Sequence, residues 1–434
     1  MNRKLRIETT GASTEVVALP ALLREEILLP SDSNLGGLAL QGLTNITRAL
    51  SEPDLEPIIA SARASWQSLP PPPIAHILVE EPSPRETRIF ERGDPHVPGE
   101  IVEAGTPAIL HPFPSNASRN RLALARWIMA EENPLTARVT VNRWWGKVFG
   151  TPLVDTPDDF GIRGARPTHP ELLDWLATEL ISTDWSRKAL LRQMVLSETY
   201  RQSVVPRTRR EQIGDPDNRL LTRSTRLRLN AETIRDNALQ IAGLLHLEIG
   251  GAPSSPPQPP DVWRPNGTSL AEYIPSEGHQ VYRRGLYTVA RRSSPYPSML
   301  NFDAGDRTTC QVERRITNTP LQALTILNDE VFSEAALAFA SRLLQENPSA
   351  DDTERLEQAF LIALSRRPNP EEIEILSQVL ATRQNGSTQD ALSVAELMAH
   401  PRFNPPADAD AVELARWFAV GRILLNLDET LHRG

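Results

Sequence analysis

A chain of 434 residues with a net charge of −9 and a pI near 5.5 has room for two or three domains, and its acidity argues against a general nucleic-acid binder, whose footprint is basic. Its one cysteine, Cys310, excludes an intrachain disulfide, a paired-cysteine zinc site and a Cys-x-x-Cys-His haem attachment. The 38 prolines put the chain well above the average share of about 5% and predict many rigid turns and helix starts and few long strands.

Residues 1–74 read as a helical appendage. Met1-Asn-Arg-Lys opens it with basic residues but no apolar segment after them, so no signal peptide is expected. No window reaches the roughly 18 apolar residues of a membrane span. Ile58, Ile59, Ala62 and Trp66 share one helical face, and Pro70 to Pro73 end it as a stiff spacer. Residues 75–117 form a short β or extended region, with apolar runs at Ala75 to Glu80, Thr87 to Glu91 and Ala108 to His111 separated by Pro and Gly.

A helical body is expected over 118–432. Asn133 is placed to cap a helix and Pro134 to begin it; Val141, Trp144, Trp145, Val148 and Phe149 follow at helical spacing and Gly150 ends the run. Residues 151–169 form a long loop. Thr168-x-x-Glu171 predicts a capping box for the next helix, and Ser186 and Asn230 cap two more. The periodicity after Asn230 predicts a helix from Ala231 to His246, closed by Gly250 and Gly251. Residues 252–265 read as a proline strap carrying Trp263, and 281–291 as one strand or hairpin. Helices are then expected from Thr319 to Leu344, with a break near Asn328 and Asp329, and over 352–365, 370–384, 387–400 and 409–431. The fold class is mainly α, and the body has possible halves 118–250 and 318–432.

Several stretches come in a recognisable order: Asn133 to Arg138, Val141 to Trp144, Asp159 to Gly161, Thr168 to Ala177, Ser197 to Ser203, Asp215 to Leu221, Arg283 to Thr288, Thr317 to Leu324 and Leu424 to Glu429. Together they resemble the planctomycete-type domain of unknown function 1553, over about residues 118–432. The resemblance implies a family whose longer members carry an export signal, often a c-type cytochrome domain, and an upstream partner domain. Haem c is therefore implied for those relatives only, and no cofactor is expected in this chain. The chain looks like a truncated member, and the family implies a periplasmic or cell-surface location. It carries over no catalytic residue.

Arginine is dense between Tyr282 and Arg315. Arg283, Arg284, Arg291, Arg314 and Arg315, with Tyr287 as a stacking platform, suit an acidic or sulfated glycan, because guanidinium forks bind carboxylate and sulfate bidentately. The same arginines serve equally to tie helices together through carboxylates. Asp159, Asp303 and Asp306 are candidate acid–base groups and His169 a candidate proton-transfer group; each has an alternative as a cap or loop brace. The histidines show no His-x-x-x-His or Glu-x-x-His spacing, so no metal is expected. Two functions follow as expectations: a binding or scaffold module for an anionic ligand or partner protein, or an enzyme acting on a sulfated or acidic polysaccharide between the 151–169 loop and the 283–315 segment.

Overall fold

The computed structural model describes residues 85–259, 262, 273–292, 294–305, 307–384, 402–403 and 410–433. The appendage of 1–74, the run from Ala75 to Glu80, Trp263, Asp306 and the helix expected at 387–400 lie outside the described residues. The chain divides into two compact units, Met1–Glu103 and Ala104–Gly434. In the first, β1 (Thr87–Phe90) pairs antiparallel with β2 (Pro98–Val102). Arg92 and Gly93 turn the chain between them with φ of 53° and 80°.

The second unit is mainly α and has two apolar cores. Helix α1 (Arg121–Ile128) precedes the first, which is built by α2 (Thr136–Phe149), α3 (Pro170–Ser182) and α4 (Arg187–Leu196) together with Leu153 and Val154. Val141, Leu180 and Leu190 are fully buried in it, and Trp145 stacks on Phe149 with centroids 3.9 Å apart. Each such side chain contributes roughly 1.5–3 kcal/mol by leaving water. Asn133 caps as expected in kind but not in place: its Oδ1 accepts from Leu135 and Thr136, and the helix begins two residues later than expected. The capping box at Thr168 does not form. His169 occupies the cap position without a side-chain cap bond, because Thr168 is committed to the Leu153 carbonyl through both its N–H and its hydroxyl. Ser186 and Asn230 cap their helices as expected.

A short helix α5 (Arg209–Gly214) and a two-residue strand β3 (Leu227–Arg228) lead to the second core. It gathers α6 (Ala231–Ile241), α7 (Pro297–Asn301), α8 (Pro320–Asn328), α9 (Glu330–Glu346), α10 (Asp352–Leu364), α11 (Pro370–Gln384) and α12 (Ala411–Leu425). The break between α8 and α9 falls at Asp329, which is extended and caps Val331. Helix α9 is the centre: Ala335, Ala336, Phe339, Ala340 and Leu343 are fully buried, and Trp417, Val420 and Leu424 of α12 cover them. Gly421 permits that approach, since a Cβ there would lie 2.9 Å from the Ala336 carbonyl oxygen. Among the described residues no helix is long and apolar enough to cross a membrane.

Two expectations change. Helix α6 ends at Ile241, with Gly243 at φ 75°, and not at His246. The apolar residues Leu244 and Leu245 continue past the turn because the chain still runs over the core, so their spacing imitates another helical turn. The stretch 281–291 is no hairpin either. It forms two 3₁₀ turns, Gly278–Tyr282 and Gly285–Tyr287, and makes single parallel bridges from Arg283 to His246 and from Thr288 to Ser254. Gly285 lies so close to α6 that a Cβ would meet the Glu232 backbone at 2.8 Å.

The two cores are joined near the C-terminus. Strand β4 (His432–Arg433) pairs antiparallel with β3, and the Arg433 guanidinium donates to the Val148 carbonyl at the end of α2, 2.7 Å away. Gly150 sits against Leu227 with φ 90°, a conformation that strains any residue with a side chain.

Candidate anion-binding cleft

Between the outward face of α2 and the 302–316 segment lies a cleft of about 610 Å³, reached also by β3, the start of α6 and Arg433. Pro152 and Pro157 of the 151–169 loop line one side, so that loop and the arginine-rich segment do meet. The meeting groups differ from the expected ones, however. The loop contributes prolines, and Asp159 is turned to the loop itself: its Oδ1 accepts from Gly161 N at 2.7 Å and its carbonyl accepts from the Thr156 hydroxyl. His169 pairs with the neighbouring Thr168 hydroxyl at 3.0 Å. The loop is pinned by buried Asn142, whose amide exchanges two hydrogen bonds with the Val154 backbone.

The cations of the cleft fall into two sets. Arg314 forks onto Glu232 with 2.6 and 2.9 Å bonds, Arg228 donates to Gln322, and Arg433 holds Val148. Burial raises the Glu232 carboxyl, but the Arg314 fork outweighs it and holds the group below its ordinary value. Arg143 and Lys147, one helical turn apart on the exposed face of α2, have no hydrogen bond or ion pair among the described residues, and neither has exposed Arg315. Such groups repel one another unless an anion comes between them. Of the cleft's two carboxylates, Asp303 is tied to the N–H and hydroxyl of Thr317 at 2.8 to 3.0 Å, and Glu313 is exposed.

The remaining sequence candidates lie elsewhere. Arg283 is 2% exposed and donates to the carbonyls of Ala252, Glu248 and Gly250, with its guanidinium 3.8 Å from the Tyr287 ring centroid. The Tyr287 hydroxyl accepts from Gly250 N. Both residues therefore hold the backbone of the 248–252 turn in place of a ligand. Arg284 pairs with Asp236 at 3.3 Å. Arg291 lines a separate small cavity of about 50 Å³ beside Tyr296 and Arg307. Arg143, Lys147 and Arg433 were not singled out by sequence. The signal available was the i, i+4 spacing of Arg143 and Lys147 on the polar face of α2.

The model of the PSD1 family, described as a protein of unknown function (DUF1553), matches residues 120–380. No curated protein and no solved structure matches the chain.

Proposed function

The chain belongs to the DUF1553 family, whose description assigns no activity, and on the geometry of the cleft we propose that it is a binding module for an acidic or sulfated polysaccharide. The observation that carries this reading is the set of cations unpaired among the described residues, Arg143, Lys147 and Arg315, around one open cleft of about 610 Å³. A lone cation on a helix face is ordinary; three without partners facing one concavity form an electrostatic trap for sulfate or carboxylate groups. The braced Arg314, Arg228 and Arg433 keep the cleft walls in place. A repeating anion suits the site better than a single small one, because the cations come from two separate segments.

The binding reading is preferred to the enzymatic one because Asp303, the one sequence-proposed carboxylate in the cleft among the described residues, uses its oxygens on Thr317. The test is thermal unfolding of the purified protein with oligosaccharides of matched length that are sulfated, carboxylated or neutral. Stabilisation by the first two and none by the neutral chain is expected. Equal response to all three, or to none, would overturn the reading.

A further inference from the structure

The chain that leaves α6 at Gly243 carries His246 and Glu248, and the chain that enters the first 3₁₀ turn carries His279. These residues are far apart in sequence, yet their ligating atoms lie within 4.8 Å of one another. His246 Nε2 is 3.3 Å from Glu248 Oε2, and His279 Nε2 is 3.7 Å from the same oxygen. The imidazole centroids are 4.5 Å apart and tilted by 52°, so the rings converge at their edges and do not stack. A zinc ion with bonds of about 2.0–2.2 Å in tetrahedral geometry places its ligand atoms about 3.3–3.6 Å apart. The separation from His246 falls at that edge length, and the one from His279 is slightly longer.

Two further observations point to a cation. First, the Gln280 side-chain nitrogen sits 2.9 Å from His279 Nε2 and 3.2 Å from Glu248 Oε2. A donor thus sits between the imidazole of His279 and the carboxylate of Glu248, where a cation would find two of its ligands. Second, the frame beneath the cluster is fixed. The His246 N–H donates to the Tyr282 carbonyl at 2.9 Å, joining the two ligand-bearing segments directly. Buried Arg283 holds the carbonyls of Glu248, Gly250 and Ala252, so the loop bearing the carboxylate is anchored from below. Gly278, at φ 57°, turns the chain so that His279 faces the loop.

We propose that His246, Glu248 and His279 form a Zn²⁺ site, with Gln280 displaced on binding and the fourth position open to water. Two imidazoles and one carboxylate suit a borderline cation better than Ca²⁺ or Mg²⁺, which favour all-oxygen shells. The site is distinct from the cleft, with which it shares no residue. The open fourth position is the arrangement of zinc centres that activate a water or polarise a ligand oxygen, whereas structural zinc sites are closed by four protein ligands.

The test uses the full chain, stripped with a chelator, titrated with ZnCl₂ by calorimetry at neutral pH. One equivalent should bind, and His246→Ala, His279→Ala and Glu248→Gln should each weaken it by about tenfold or more. Their circular dichroism and zinc-free unfolding midpoints should match wild type, since none of the three side chains is buried. A second reading needs no variant: Co²⁺ should give the intense visible absorption of a tetrahedral centre. Absence of one-equivalent binding, retention of it in a His246→Ala/His279→Ala double variant, or only a weak octahedral Co²⁺ spectrum would each overturn the proposal.

Discussion

Arg314 and Arg315 are adjacent in sequence and line the same cleft, yet they do different work. Arg314 is half-buried and fork-bonded to Glu232 on α6, so its charge is neutralised within the protein. Arg315 is exposed and unpaired among the described residues. The same contrast separates Arg283, sealed under a turn with three carbonyls, from Arg143 and Lys147 on the open face of α2. The density of arginine along the chain is therefore a poor guide to ligand binding. The acceptors nearest each guanidinium decide its role.

The largest effect should come from the buried set. Arg283→Ala leaves three carbonyls without their shared donor and a cavity beneath Tyr287; a loss of about 3–5 kcal/mol is expected in denaturant unfolding. An unchanged midpoint would mean that the clamp is not structural. Next is the packing contact between α9 and α12. Gly421→Val forces atoms into the Ala336 carbonyl and should cost about 2–3 kcal/mol, while Gly421→Ala costs less and in the same direction.

The adjacent pair sharpens the comparison further. Arg314→Ala strands the half-buried Glu232 carboxylate and should lower stability by about 1–2 kcal/mol. Arg315→Ala should leave the unfolding midpoint within about 0.5 kcal/mol of wild type while weakening binding of a sulfated oligosaccharide. If the two substitutions act alike on stability, the division into braced and free cations fails.

The smallest effect is on pH dependence. The Glu232 carboxyl is held below its ordinary value of 4.5 in the folded chain. A depressed folded value means that its stabilising contribution is present above the unfolded value and is lost as pH falls through the folded one. Stability measured downward from pH 5 should therefore fall less steeply in Glu232→Gln than in wild type.

Helix starts and the mainly α class were legible because they rest on local chemistry: Ser186 and Asn230 accept from the first turns of their helices, and prolines open α3, α8 and α11. The end of α6 was not legible, since Leu244 and Leu245 keep the helical spacing after the chain has left the helix. That one misreading hid His246 and Glu248, which belong to an irregular segment bridged to residue 283. The cleft was half legible. The approach of the 151–169 loop to the arginine-rich segment was expected, but the cations on α2 look like any solvated helix face until the tertiary arrangement sets Arg315 beside the same cleft.

The most direct measurement is calorimetric titration of one sulfated oligosaccharide into wild type and an Arg143→Ala/Lys147→Ala/Arg315→Ala variant, at low and at physiological ionic strength. Wild type should bind at low salt and weaken as the Debye length shortens to about 8 Å, and the variant should lose about tenfold or more in affinity with its unfolding midpoint intact. Equal affinity of the two proteins, or binding that ignores salt, would contradict the assignment of this cleft to an anionic ligand.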